Sequence, residues 1–177
     1  MTLPADDLLR AIRCLALDVD GVLTPGWIVY GPGGEWKVFD VHDGHGMRMW
    51  RRAGHRIGLI SGRSSPAEDA RADDLGVDYV AQGVRDKLDA YEEMKTALGV
   101  RDEEICAVGD DLPDLQLFRR AAVAVAVPEA CDDVRTRAAW VTTRRGGCGA
   151  VREVIERILK AQGVWESLLN RYGGTSA

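Results

Sequence analysis

The sequence predicts a doubly wound α/β domain, a mostly parallel central sheet flanked by helices, with a β-hairpin projecting from it. Three observations carry this prediction. Short apolar, β-branched runs have the length and composition of buried parallel strands. Stretches with apolar residues at helical spacing separate them, and one segment near the start breaks the alternation.

In chain order, the first strand is expected over residues 14–19. Residues 27–30 and 35–39, joined by Gly31-Pro32-Gly33-Gly34, read as a hairpin spanning about 26–40. Helices are then expected at 44–53, 66–75, 87–98, 112–121 and 151–162, and strands at 56–60, 79–81, 105–108 and 123–127. Gly54, Gly76, Gly99 and Gly163 follow helices where a left-handed cap is expected, and Ser65-Pro66 reads as a helix start. A C-terminal tail is expected from about residue 163, flexible over 173–177.

A chain of 177 residues, 46% hydrophobic and 29% charged, suits one globular domain over 1–177. A net charge of −5, with acids and bases interleaved, argues against a nucleic-acid partner. No apolar run approaches the roughly 20 residues of a membrane span. Asp6 and Asp7 precede the first apolar run where a secretory signal would be basic, which predicts a cytoplasmic protein. Cys14, Cys106, Cys131 and Cys148 contain no CxxC pair and are expected to be mostly buried free thiols. His42, His45 and His55 lack a convergent third ligand and are assigned no metal.

In doubly wound sheets ligands bind beyond the carboxyl ends of the strands, so the chemistry should lie there. The first strand ends in Asp18-Val19-Asp20-Gly21, two carboxylates two residues apart, of which one can attack while the other handles protons. The next strand ends in Ser61-Gly62-Arg63. Lys87 opens a helix after the third, and Gly109-Asp110-Asp111-Leu112-Pro113-Asp114 follows the fourth. Alone, each is an ordinary turn or surface residue; together, in this order and on the binding edge, they mark one candidate site.

With these motifs the chain resembles the haloacid dehalogenase superfamily of phosphatases over nearly its whole length, which implies a Rossmann-like fold. The resemblance implies that Asp18 attacks phosphorus to form a phospho-aspartate, and that Asp20 serves as acid and then base. Mg²⁺ would be held by Asp18, the Asp20 main-chain carbonyl and Asp110, with Asp111 reaching it through water and Asp114 behind. Ser61 and Gly62 would bind phosphoryl oxygens and Lys87 would offset the crowded negative charge. The gaps between Asp18 and Ser61 and between Ser61 and Lys87 leave no room for the cap domain common in this superfamily.

Among capless members the chain is most similar to the 3-deoxy-D-manno-octulosonate 8-phosphate phosphatase family, through DVDGVLT, FDVHDGHG, ISGR, QGVRDKL and GAVRE. This likeness implies a phosphorylated sugar acid as substrate, in lipopolysaccharide biosynthesis, with Arg63 and Arg71 beside it to read its carboxylate. It also implies a homotetramer with shared active sites, formed through the hairpin; the apolar pairs Val164-Trp165 and Leu168-Leu169 of the C-terminal tail are expected to reach a neighbour as well. Two alternatives stand beside it: a 2-keto-3-deoxynonulosonate 9-phosphate phosphatase, whose family has Glu in place of Arg63, and a non-catalytic oligomerisation module. The sequence departs from the family at Pro25 and at Cys148, the latter where a polar residue is usual.

Overall fold

The computed structural model describes residues 4–173. Six parallel strands form the central sheet: β1 (Cys14–Leu17), β4 (Arg56–Ile60), β5 (Tyr79–Ala81), β6 (Ile105–Gly109), β7 (Val123–Ala126) and β8 (Trp140–Val141). Their spatial order is β5-β4-β1-β6-β7-β8. The chain builds outward from β1 to one edge, returns to β6 beside β1, and builds outward again. The reversal opens a crevice between the carboxyl ends of β1 and β6, the place where such sheets bind ligands.

Alternate residues of β1 feed opposite faces: Leu15 and Leu17 join the larger apolar cluster, Cys14 and Ala16 the smaller. The larger cluster is covered by α1 (Asp6–Ala11), α2 (Val41–Arg52), α7 (Ala150–Ala161) and α8 (Trp165–Leu169), the smaller by α4 (Lys87–Leu98) and α5 (Leu115–Phe118). The remaining helices are α3 (Pro66–Leu75) and α6 (Asp132–Arg137).

The hairpin is a separate two-stranded ribbon, β2 (Val29–Gly31) and β3 (Gly34–Trp36), turning at Pro32-Gly33. It is shorter than expected, because pairing stops at Trp36 and residues 37–40 run back toward the sheet edge. Trp27, Ile28, Tyr30, Trp36 and Val38 are all more than half exposed.

The caps behave as expected. Ser65 accepts from the Ala67 amide with Pro66 behind it, and Gly76 and Gly99 close their helices left-handed. The long helix expected over 112–121 does not form. A 3-10 turn (Leu112–Asp114) leads instead into the four-residue α5, because the Asp114 carboxylate folds back onto the Asp110 and Asp111 amides. The helix α6 and the two-residue β8 were not expected; both are too short to show a period. Of the cysteines only Cys14 and Cys106 are buried; Cys131 is partly exposed and Cys148 exposed. Trp165 and Leu168, expected to reach a neighbouring subunit, are buried against α7 of their own chain. Of the expected flexible tail, residues 174–177 lie outside the described residues.

Asp43 shows how the elements lock together. It is a buried carboxylate on α2, and it accepts from the Gly149 amide at 3.1 Å and the Arg152 amide at 2.7 Å, capping α7 from outside that helix. Asp43→Ala would leave both amides without a partner, so it should lower stability by about 1–3 kcal/mol. Urea unfolding should show a lower midpoint with an unchanged slope.

Candidate active site

Asp18 follows β1 directly, its amide donating to the Val108 carbonyl of β6 at 3.0 Å, so its position is set by the sheet. Lys87, the first residue of α4, sends its ammonium group to Asp18 Oδ1 at 2.6 Å and Asp114 Oδ1 at 2.7 Å. The start of α4 is held twice, by the Asp86 cap and by Gln116, whose Oε1 accepts the Lys87 amide at 2.8 Å. The other oxygen of Asp114 accepts the Asp110 and Asp111 amides at 2.9 and 3.1 Å. Asp114 therefore holds Lys87 and the Asp110 loop at once.

Oxygens of Asp18, Asp110 and Asp114 come within 4.8 Å of one another. Burial, then Asp114, raises the Asp18 carboxyl above the ordinary carboxylate range, despite the neighbouring Lys87. Asp110 is raised too, by burial first and then by Asp18 and Asp114. Burial alone would lower Lys87, but the two carboxylates outweigh it and its pKa is raised. Hard oxygen donors crowded this closely, with one ammonium ion against three carboxyls, fit a divalent cation such as Mg²⁺.

Asp18, Asp20, Ser61, Gly62, Arg63, Lys87, Asp110, Asp111 and Asp114 all line one open cleft of about 350 Å³, so the sequence-derived set converges. Ser61 is buried, and Asp111 is exposed with its carboxylate on the Leu112 amide. Arg71 is not brought to this cleft: it reaches the Asp40 carbonyl at 3.2 Å and Asp74 at 3.0 Å and lies over the Phe39 ring. Arg63 does line it, paired with Glu35 of the hairpin and 3.5 Å from Asp20. Cys148 is not part of the lining. A second concavity, of about 430 Å³ beside α7, shares no residue with the cleft.

Two residues in or beside the site escaped the sequence analysis. Arg85 lines the cleft from the loop before α4. Lys37, just past β3, sends its ammonium group to Asp20 Oδ1 at 2.5 Å and to Glu68 Oε1 at 2.6 Å. Its position three residues beyond a turn gave only a weak signal, because lysines of hairpin strands are ordinarily solvated.

Residues 77–155 match the haloacid dehalogenase-like hydrolase family. The 3-deoxy-D-manno-octulosonate 8-phosphate phosphatase of Yersinia pestis is 40% identical over 162 residues, 89% of this chain and 87% of its own. The chain belongs to this phosphatase family. The octulosonate phosphatase of Escherichia coli K12 is likewise 40% identical, over 90% of this chain and 86% of its own. Among solved members, that of Moraxella catarrhalis, in complex with magnesium, phosphate and the sugar acid, superposes with a TM-score of 0.90 at 39% identity, covering 94% of this chain and 97% of its own. The cobalt-bound Haemophilus influenzae phosphatase gives 0.87 at 36% identity over 90% and 94%.

The magnesium and cobalt held by these two relatives accord with the carboxylate crowding, which predicts how stability responds to pH. Asp18 and Asp110 hold protons more tightly folded than unfolded, so without metal this pair contributes stability at low pH. That contribution should be lost as pH rises from about 4 through their raised values. A bound divalent cation favours the ionised carboxylates and should cancel that loss. Thermal unfolding from pH 4.5 to 8, with chelator and with Mg²⁺, checks this; parallel curves would contradict it.

Proposed function

We propose that the protein hydrolyses the phosphate ester of 3-deoxy-D-manno-octulosonate 8-phosphate with Mg²⁺ as cofactor. The observation that carries this is the convergence of Asp18, Asp20, Ser61, Lys87 and Asp110 on one cleft, in a chain 40% identical to phosphatases acting on that ester.

The Asp18 carboxylate attacks phosphorus and becomes a phospho-aspartate, while Asp20 gives a proton to the departing sugar oxygen and then takes one from the hydrolytic water. Lys87 lets Asp18 approach a dianionic ester, since its ammonium group already lies against the attacking carboxylate. The Ser61 hydroxyl and the Gly62 amide hold the phosphoryl oxygens, and Asp114 keeps Lys87 in place. Asp18, Asp110 and the Asp20 carbonyl would hold Mg²⁺, with Asp111 reaching it through water; the cation would neutralise charge on the phosphoryl group. Arg63 lines the cleft, where a guanidinium can meet the sugar acid's carboxylate and favours the eight-carbon acid over the nine-carbon one. Arg71, held by Asp40 and Asp74, takes no part in this cleft.

Phosphate release from a panel of sugar phosphates, including both keto-deoxy acids, tests the assignment. Release should require Mg²⁺, be fastest with the octulosonate, and vanish in Asp18→Asn, because an amide neither attacks phosphorus nor holds the cation well. Chelator-resistant turnover would exclude the mechanism.

The assembly proposed with this function is a homotetramer whose hairpins pack together and cover neighbouring clefts. Its support is the exposed apolar surface of Trp27, Ile28, Tyr30, Trp36 and Val38 on a ribbon that is marginal by itself. Light scattering should give about four times the 19.3 kDa chain mass. A Trp27→Asp/Trp36→Asp variant, changing two exposed ring-bearing residues of the ribbon, should lose both assembly and most activity while keeping its helical signal; an active wild-type monomer would refute the shared lid.

A further inference from the structure

Lys37 is a charged residue of the hairpin, yet its side chain is 1% exposed. Burying an ammonium ion is costly unless its N–H groups find partners, and Lys37 faces three carboxylates. These are Asp20 at 2.5 Å, Glu68 at 2.6 Å and Glu35 at 3.5 Å. Glu68, buried in the first turn of α3, accepts from the Ser61 hydroxyl at 3.4 Å. One ammonium ion therefore ties the hairpin to Asp20 and, through Glu68, to Ser61. Only Oδ1 of Asp20 takes this contact. Its Oδ2 is buried without a hydrogen-bond partner among the described residues, the Arg63 Nε lying 3.5 Å away. The free oxygen is the one available to carry a proton.

We infer that Lys37 is a positioning residue that locks the Asp20 carboxyl in one rotamer, leaves Oδ2 to the reacting group, and makes proton transfer depend on where the hairpin sits. This rests on the acid–base role proposed for Asp20. In the first half-reaction an Asp18 oxygen bonds phosphorus, the bond from phosphorus to the ester oxygen breaks, and the proton on Oδ2 passes to that oxygen. In the second, water's oxygen bonds phosphorus, its proton passes to Oδ2, and the bond from phosphorus to Asp18 breaks. A p-nitrophenolate leaving group departs as a stable anion and needs no proton, whereas the attacking water still needs a base.

The test is rapid mixing of the Mg²⁺-loaded full chain with p-nitrophenyl phosphate and with an alkyl phosphate. With the alkyl ester, Lys37→Met should slow phosphorylation of Asp18 by about 100-fold or more, the scale of lost acid catalysis. With p-nitrophenyl phosphate it should release a near-stoichiometric burst of p-nitrophenolate and then turn over slowly. Lys37→Arg should restore most of the alkyl rate. Glu68→Gln, which keeps the lysine but loosens its anchor, should show the same split more weakly and serves if Lys37→Met does not fold. Equal slowing with both esters and no burst would overturn the inference. Asp20→Asn run alongside separates the two ideas: a burst there but in neither Lys37→Met nor Glu68→Gln sinks the role of Lys37, and no burst in Asp20→Asn sinks the role of Asp20.

Discussion

The structure is organised around an electrostatic constraint: carboxylates gathered at one edge of a parallel sheet, with too little positive charge in the chain to balance them. Asp18 and Asp110 meet because β1 and β6 are neighbours, and Lys87 enters between Asp18 and Asp114 because α4 starts at that edge. Taking Lys87 away would leave two buried carboxylates uncompensated, a loss of about 3–5 kcal/mol by the usual cost of breaking a buried pair. Even with Lys87 present, Asp18 and Asp110 remain raised, burial being the larger cause for each. The fold thus holds its site in a state that a divalent cation relieves, so the fit to a metal and the loss of stability predicted without one have a single origin.

Crowding of that kind requires backbone without side chains. Gly21 sits at φ +91°, and a Cβ there would come within 2.0 Å of Asp110 Oδ2, so the turn after Asp20 can approach the acidic loop only as glycine. From the other side, Gly146 lies against the Gly21 carbonyl so closely that a Cβ would stand 1.7 Å from it, and the Gly147 amide donates to the Val22 carbonyl at 2.8 Å. The glycine-rich segment before α7 is therefore a brace for the first motif. Cys148, within that segment, is exposed and does not line the cleft, so it leaves the carboxylate cluster untouched.

What the sequence revealed and what it hid divide along physical lines. Strand ends were legible because buried parallel strands are continuous apolar runs, and a polar residue ending such a run is exposed to the crevice; Asp18, Ser61 and Asp110 were found this way. Lys87 was legible as the first residue of a periodic helix. Asp114 was expected only behind the metal ligands, since nothing in its spacing foretold that one carboxylate would cap the Asp110 loop and hold Lys87 together. Arg71 was carried over from family likeness alone, and a single chain directs it to Asp40 and Asp74. Lys37 was hidden because a buried polar network has no period, and its partners Asp20 and Glu68 come from segments 17 and 31 positions away in the sequence.

Lys37 also resolves a tension in the hairpin. A ribbon bearing Trp27, Tyr30 and Trp36 on its surface gains nothing by folding alone in water, and its two short strands supply little stability. Yet the residue just beyond it is fixed beside the cleft by the carboxylates of Asp20 and the buried Glu68. An element weakly held at its tip and ionically held at its base takes its orientation from whatever packs on the tip. If neighbouring hairpins supply that packing, a capless enzyme acquires through assembly what a cap domain provides elsewhere: a cover for the cleft, and a proton-transferring carboxyl aligned only when the cover is in place.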